Sequence, residues 1–140
     1  MAYICNLALT ELKIDPITAL DQAGSAVAEL CNRHYDIRRK ATLRSHIWNF
    51  AKTETTLNRS SNGSSNSYDD VYPLTNSFLR FISVGDVFVW EKNELYDIRS
   101  ISINGTFKRS IVIDNDGAAT LEILYIRNVT SVSEFDPLFI

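Results

Sequence analysis

Residues 25–46, SAVAELCNRHYDIRRKATLRSH, carry the longest helical pattern of the chain and precede a sequence of strand-forming character. Within this segment, residues of similar polarity recur at the three- and four-residue spacing of an α-helix, so a helix would have one polar side and one mainly apolar side. The polar side consists of Glu29, Asn32, Arg33, Asp36, Arg39 and Lys40. The other side is a stripe of Val27, Leu30, Cys31, His34, Tyr35, Arg38, Ala41 and Ser45 or Arg44, which is predicted to face the core. No Gly or Pro interrupts the segment, so it predicts one long helix.

A shorter helix is predicted before it, from Tyr3 to Leu12. The apolar residues there recur at helical spacing and mark one face. Asp15-Pro16 ends the pattern, because the residue before a proline is pushed out of helical geometry. Residues 13–17 should therefore connect the two helices.

Beyond Phe78 the apolar period shortens toward two, and β-branched and aromatic residues dominate. The strand-like runs are residues 78–84, 87–90, 95–98, 110–113 and 121–126. Asn104-Gly105 and residues 114–117 (Asp-Asn-Asp-Gly) separate runs and predict hairpin turns, because these residue types tolerate positive φ. The pattern predicts an α+β fold in which N-terminal antiparallel helices pack on a small C-terminal antiparallel sheet.

The 140 residues, 45% of them hydrophobic, predict a single domain with its own core. Composition divides it into a helical part at 1–57, a polar Ser/Asn loop at 58–71 and a β-rich part at 72–140. The loop has few apolar side chains to bury, so it is expected to be mobile unless a partner holds it. It is either a functional loop or a tolerated surface insertion.

Charge and hydropathy restrict the partners that the chain could have. A net charge of −3 argues against a broad basic face that grips nucleic acid. No apolar run approaches the roughly 20 residues that cross a bilayer. The N-terminus also lacks the features of a signal peptide, so the expectation is a soluble protein that is not secreted.

Residue patterns for catalysis or metal binding are weak. His34 and His46 lie about 18 Å apart on the predicted helix, since each residue rises 1.5 Å. Cys31 and His34 share a helix face, but zinc needs about four ligands, so core packing is the favoured interpretation. Cys5 and Cys31 are expected to be reduced core thiols, with a disulfide left open. No cofactor or metal site is predicted.

A carboxylate pair would be the signature of a hydrolase. The adjacent Asp69 and Asp70 are the nearest approach to one. Neighbouring residues rarely face each other across a substrate, so solvated loop carboxylates are the favoured interpretation. The sequence therefore predicts that the chain is not an enzyme.

Several short sequence segments follow one another in an order that resembles a known family. They are Ile4-Cys5-Asn6-Leu7-Ala8-Leu9, Asp15-Pro16-Ile17, residues 28–35 (AELCNRHY), residues 43–51 (LRSHIWNFA), Tyr72-Pro73-Leu74 with Phe78-Leu79-Arg80, Tyr96-Asp97-Ile98, Tyr125-Ile126-Arg127 and Phe135-Asp136-Pro137-Leu138-Phe139. The series is similar to the head-to-tail adaptors of short-tailed phages, the tail tubular protein A type. Residues 43–51 are the most distinctive part, and the resemblance covers nearly the whole chain.

The resemblance implies a structural virion protein. Such an adaptor is an α+β subunit of a homo-oligomeric, dodecameric ring that lies below the portal protein, extends the DNA channel and docks the tail nozzle protein. It implies a place in the neck or tail of the virion, after assembly in the host cytoplasm, with passive passage of genomic DNA and no membrane partner. The alternatives are another neck or tail-completion protein, or a virion-associated cell-wall or polysaccharide hydrolase using Asp69, Asp70 or Glu94.

Arginine and aromatic residues are the usual anchors of protein interfaces, which indicates where partners would bind. Arg38, Arg39 and Arg44 form a basic stretch that is either a solvated helix face or a subunit contact. Trp48 either fills the core between helix and sheet or contacts a partner. Phe135, Asp136, Leu138 and Phe139 either tuck into the chain's own core or dock on another chain.

Overall fold

The computed structural model describes residues 2–61, 70–85, 87–88 and 96–136, with only the backbone at 87–88. The chain divides into two compact units. Unit 1 comprises Met1–His46 with Val129–Ile140, and unit 2 comprises Ile47–Asn128. The described part of unit 1 is helical and that of unit 2 consists mainly of antiparallel strands, which confirms the α+β class.

Unit 1 contains helices α1 (Ala2–Glu11) and α2 (Ala26–Ser45) and a 3-10 turn at Val132–Glu134. Both helices occupy the segments predicted from the sequence. Ser25 caps α2, because its hydroxyl accepts a hydrogen bond from the Ala28 backbone N–H at 3.2 Å. After α1, Lys13 adopts a φ of 56°, the left-handed conformation that commonly follows a helix end.

The connector between the helices folds back onto α1 through one side chain. The Asn6 amide nitrogen donates to the Ile17 carbonyl at 2.9 Å, and its oxygen accepts from the Ile17 N–H at 2.9 Å. Ile17 is buried with Leu9 and Ala28 in the core of unit 1. The partly buried residues Ala2, Cys5, Leu20, Val27 and Cys31 pack against this cluster.

Unit 2 begins with a 3-10 turn at Asn49–Ala51 and continues with strands in two sheets. The strands are β1 (Lys52–Asn58), β2 (Asp70–Pro73), β3 (Phe78–Val84), β4 (Val87–Phe88), β5 (Tyr96–Ile103), β6 (Thr106–Ile113) and β7 (Thr120–Arg127). One sheet has the order β1-β7-β3-β4 and the other β2-β6-β5, with every pair antiparallel. The described strands therefore form two sheets where the sequence predicted one.

The sheets share a hydrophobic core. Tyr72 and Ile111 come from the second sheet and pack with residues of the first. The first sheet contributes Leu57, Phe78, Phe81, Val84, Leu121, Ile123 and Tyr125. The Phe78 and Phe81 ring centroids lie 4.3 Å apart, so aromatic contacts add to the burial of apolar area.

Strands β1 and β2 correct the sequence interpretation. The sequence predicts residues 52–57 in the helical part and residues 70–71 in the polar loop, whereas both segments pair with neighbouring strands. In β1 (KTETTLN) only Leu57 is buried, so the segment has little apolar alternation to reveal it. Its backbone pairs with β7 from Lys52↔Ile126 to Asn58↔Thr120.

The two predicted hairpin turns have different outcomes. Asn104 and Gly105, with φ values of 52° and 77°, join β5 to β6 in a two-residue turn, as predicted. The prediction for residues 114–117 is wrong, because β6 and β7 belong to different sheets. The Tyr72 hydroxyl holds this sheet-to-sheet connection by donating to the Ala118 carbonyl at 2.6 Å and accepting from Asn115 Nδ2 at 3.0 Å.

Candidate functional site

Helices α1 and α2 border an open apolar groove on unit 1. It has a volume of about 440 Å³. Residues of both helices line it, and so does Phe135, the residue that follows the 3-10 turn at Val132–Glu134. The apolar walls include Ile4, Ala8 and Leu12 of α1 and Leu30, Cys31 and Tyr35 of α2.

The groove contains much of the stripe of α2 that was predicted to face the core. The buried residues of α2 are instead Ala28, Leu43 and Arg39, of which Arg39 also lines the groove. Leu30 keeps 56% of its surface exposed, and Leu12 across the groove keeps 67%. The described part of the chain therefore leaves part of the apolar stripe of α2, above all Leu30, open to solvent.

The groove also contains a buried polar atom without a partner. Among the described residues, the Tyr35 hydroxyl is buried and makes no hydrogen bond. Burial raises the pKa of this phenol above its ordinary value, so it is a neutral O–H at physiological pH. Buried hydroxyls are normally paired, and an unpaired one is costly.

Arg39 corrects the interpretation of the basic stretch. It was placed on the polar side of α2 and offered as a subunit contact, but only 7% of it is exposed. Its guanidinium donates to the Val129 carbonyl and to the Asp36 carboxylate. The long stem of an arginine can be buried when its head finds such acceptors, so Arg39 ties the segment after residue 128 to α2.

The other basic candidates lie at the surface. Arg38 is exposed and lines the groove, and Arg44 is exposed in the last turn of α2. Both positions are compatible with the predicted contact. Trp48 belongs to unit 2, where it is half-buried with its ring centroid 6.0 Å from that of Phe50.

The C-terminal candidates are partly described. Phe135 is buried and lines the groove, so it packs within its own unit. Asp136 is exposed. Leu138 and Phe139 lie outside the described residues.

Asp70 overturns the prediction of solvated carboxylates, because it is fully buried. Arg59 binds one carboxylate oxygen at 2.9 Å, and the Asn115 and Gly117 N–H groups donate to the other at 3.1 and 3.0 Å. Burial raises the pKa of Asp70, but the hydrogen bonds from Arg59, Gly117 and Asn115 outweigh it and hold the pKa below the ordinary value. The carboxylate anchors the connection between β6 and β7. Asp69 and Glu94 lie outside the described residues.

A second pair of carboxylates, which the sequence did not single out, faces a shallow hollow on the first sheet. Glu54 and Glu122 line it, together with Thr55 and Ser83, and its volume is about 390 Å³. Their diagonal positions across β1 and β7 place them on one face of the sheet. A glycosidase holds its acid in an apolar pocket, whereas both of these residues are exposed. The hollow gives no support to the hydrolase alternative.

An exposed aromatic residue follows the β5–β6 turn and was also not singled out from the sequence. Phe107 keeps 75% of its surface exposed, the most among the exposed large hydrophobic residues of the described chain. The signal was present, because a Phe placed between Thr106 and Lys108 directly after an Asn-Gly turn projects from a hairpin end. Beside it, a hollow of about 610 Å³ is lined by Pro73, Leu74, Lys108 and Arg109 among others.

Metal binding and membrane insertion can be assessed for the described ranges. No group of three or more His, Cys, Asp and Glu residues there could hold a metal ion. Cys5, Cys31 and His34 all line the groove, but they are not arranged as such a group. Neither described helix combines the length and apolarity required to cross a membrane.

No protein-family model matches the sequence, and no curated protein matches it significantly.

Proposed function

We propose that the chain is a structural subunit of a virion ring, a head-to-tail adaptor that binds a portal protein on one side and a tail nozzle protein on the other. The ordered series of short sequence segments from Ile4 to Phe139 supports this assignment. The structural observation that carries it is the open apolar groove between α1 and α2. A subunit of a ring needs such surfaces, because its neighbours cover them.

The groove has the properties of an interface that another protein completes. Leu12 and Leu30 expose apolar surface on its two walls. Covering such surface is worth about 25 cal/mol per Å².

Phe107 is the complementary feature that we assign to a second copy of the chain. It projects from a hairpin of unit 2, whereas the groove lies on unit 1. A contact between two different surfaces of identical chains is heterologous, and such contacts generate rings when the rotation closes. We therefore propose that Phe107 of one subunit enters the groove of the next.

The charge of the chain is compatible with a conduit for DNA. A net charge of −3 disfavours tight binding of the phosphate backbone, so DNA would pass without being held. In this proposal DNA is a passive passenger and the partners are proteins.

The proposal is tested by mixing the chain with the portal ring of the same virus and recording native mass and negative-stain images. We expect about twelve copies on each portal ring. Leu30→Asp places a charge in the groove and should abolish the added ring. Ile37→Asp is the matched control, because Ile37 is 65% exposed on the same helix and does not line the groove. A folded chain that binds neither portal nor nozzle contradicts the proposal, and binding to a different neck protein selects the tail-completion alternative.

A further inference from the structure

The two cysteines of the chain lie together, although 26 positions of sequence separate Cys5 on α1 from Cys31 on α2. Both pack against the Leu9–Ile17–Ala28 cluster, and both line the apolar groove. The Cys31 side chain lies close enough to the Cys5 thiol to contribute to the raised pKa of that thiol. The structure holds them as free thiols, each half-buried.

We propose that Cys5 and Cys31 form a reversible disulfide that joins α1 to α2, through exchange with a low-molecular-weight disulfide such as oxidised glutathione. The inference rests on the geometry of unit 1 and does not depend on the proposed function. Both half-buried cysteines line a groove that is open to solvent, which is the route we assign to the reagent.

The exchange proceeds in two balanced steps. One thiol loses its proton and attacks a sulfur of oxidised glutathione, which breaks the glutathione disulfide, forms a mixed disulfide and releases one glutathione thiolate. The second thiol then loses its proton and attacks the protein sulfur of that mixed disulfide, which releases the second glutathione. The protein dithiol is oxidised by two electrons, and glutathione disulfide is reduced to two glutathione molecules.

The two thiols have unequal roles. Burial and the neighbouring Cys31 sulfur raise the pKa of Cys5 to about 11. Cys5 is therefore protonated at neutral pH, and Cys31 is assigned the first attack. Cys5 then displaces glutathione, and the rate of closure should rise with pH because the thiolate is the nucleophile.

The disulfide would close the loop from residue 5 to residue 31 and restrict the unfolded chain. It would also fix the spacing of α1 and α2 where they border the groove. We expect the midpoint of thermal unfolding to rise on the order of 10 °C after oxidation.

The test incubates the folded, reduced chain with glutathione buffers of increasing oxidised fraction, followed by acid quenching and intact mass analysis. Closure predicts a loss of about 2 Da with no glutathione adduct, and a peptide that links residues 5 and 31. The product should return to the dithiol when the buffer is made reducing. A folded chain that stays reduced, stops at a glutathione adduct or forms intermolecular dimers overturns the proposal.

Cys5→Ser and Cys31→Ser are the matched controls. Each leaves one thiol, so neither can close, and Cys5→Ser should accumulate the mixed disulfide on Cys31. Cys31→Ser should form its adduct more slowly, because burial, the largest cause of the raised pKa of Cys5, remains in that variant. Equal adduct rates in the two variants would overturn the assigned order of attack, and the wild-type mass measurement decides closure even if a variant fails to fold.

Discussion

At the residue scale, buried polar groups give the sharpest expectations, and Asp70 is the clearest case. Asp70→Asn keeps the shape but removes the charge that binds Arg59 and two backbone N–H groups. We expect a loss of about 2–4 kcal/mol in the free energy of unfolding at pH 7. Urea unfolding of the wild type and the variant measures this loss of free energy. Asp116→Asn is the control, because Asp116 is exposed in the same connection and Asn tolerates its φ of 48°.

The pH dependence of Asp70 has a definite sign. Its pKa in the folded chain lies below the ordinary value of 3.8, so the unfolded chain binds the proton more tightly. The stabilisation from Asp70 is therefore complete above about pH 5 and is lost as the pH falls through the folded pKa. Asp70→Asn should remove this part of the acid destabilisation. The assignment is contradicted if wild type and variant differ in free energy of unfolding by the same amount at pH 7 and at pH 3.

Tyr35 is expected to behave in the opposite way, because its buried hydroxyl has no partner among the described residues. Tyr35→Phe removes the unpaired group and keeps the ring. We expect the isolated chain to be unchanged or more stable by up to about 1 kcal/mol. A destabilised chain would show that the hydroxyl is bonded in the folded state.

At the element scale, the β5–β6 turn isolates a backbone effect. Gly105 has a φ of 77°, and a Cβ added there would meet nothing within 4 Å. Gly105→Ala should therefore cost about 1 kcal/mol through conformational strain alone. Gly105→Asn is the matched control, because asparagine tolerates the left-handed region and fills the same open space. Thermal unfolding compares the stability of the two variants. If both lose the same stability, the cost comes from the added side-chain volume and not from the backbone conformation.

The elements also show what the sequence could reveal. Helix α2 and the turn at Asn104-Gly105 were predictable, because capping, periodicity and turn chemistry are local. Strand β1 was not, since only Leu57 is buried in a polar segment that pairs through its backbone. The membership of β6 and β7 in different sheets was equally hidden, because it depends on Asp70 and Tyr72, more than 40 positions away.

The candidate site divides in the same way. The apolar stripe of α2 was visible in the sequence, but its exposure was not, because burial depends on what packs against a face and not on its composition. Arg39 was assigned to solvent by its charge, whereas the Val129 carbonyl, supplied from 90 positions away, makes its burial favourable. Sequence periodicity therefore locates a face, and tertiary contacts decide whether it is core or interface.

At the scale of the whole molecule, the pairing of a groove on unit 1 with a projection on unit 2 predicts how copies associate. Phe107→Ser removes the exposed ring that we place in the neighbouring groove. Because Phe107 is 75% exposed, the free energy of unfolding of the single chain should change by less than about 0.5 kcal/mol. The number of copies on each portal ring should fall sharply, as native mass would show.

Tyr3→Ser is the control for this last prediction, since Tyr3 is an exposed aromatic residue of α1 that does not line the groove. It should leave the ring intact. If Phe107→Ser chains still form complete rings on the portal, the groove receives a different partner, although the chain would remain an adaptor. If Leu30→Asp and Phe107→Ser each stop assembly without lowering the stability of the chain, assembly requires both the groove and the Phe107 ring. This is the result expected for insertion of Phe107 into the groove, because a charge in the groove and a missing ring would each prevent that contact.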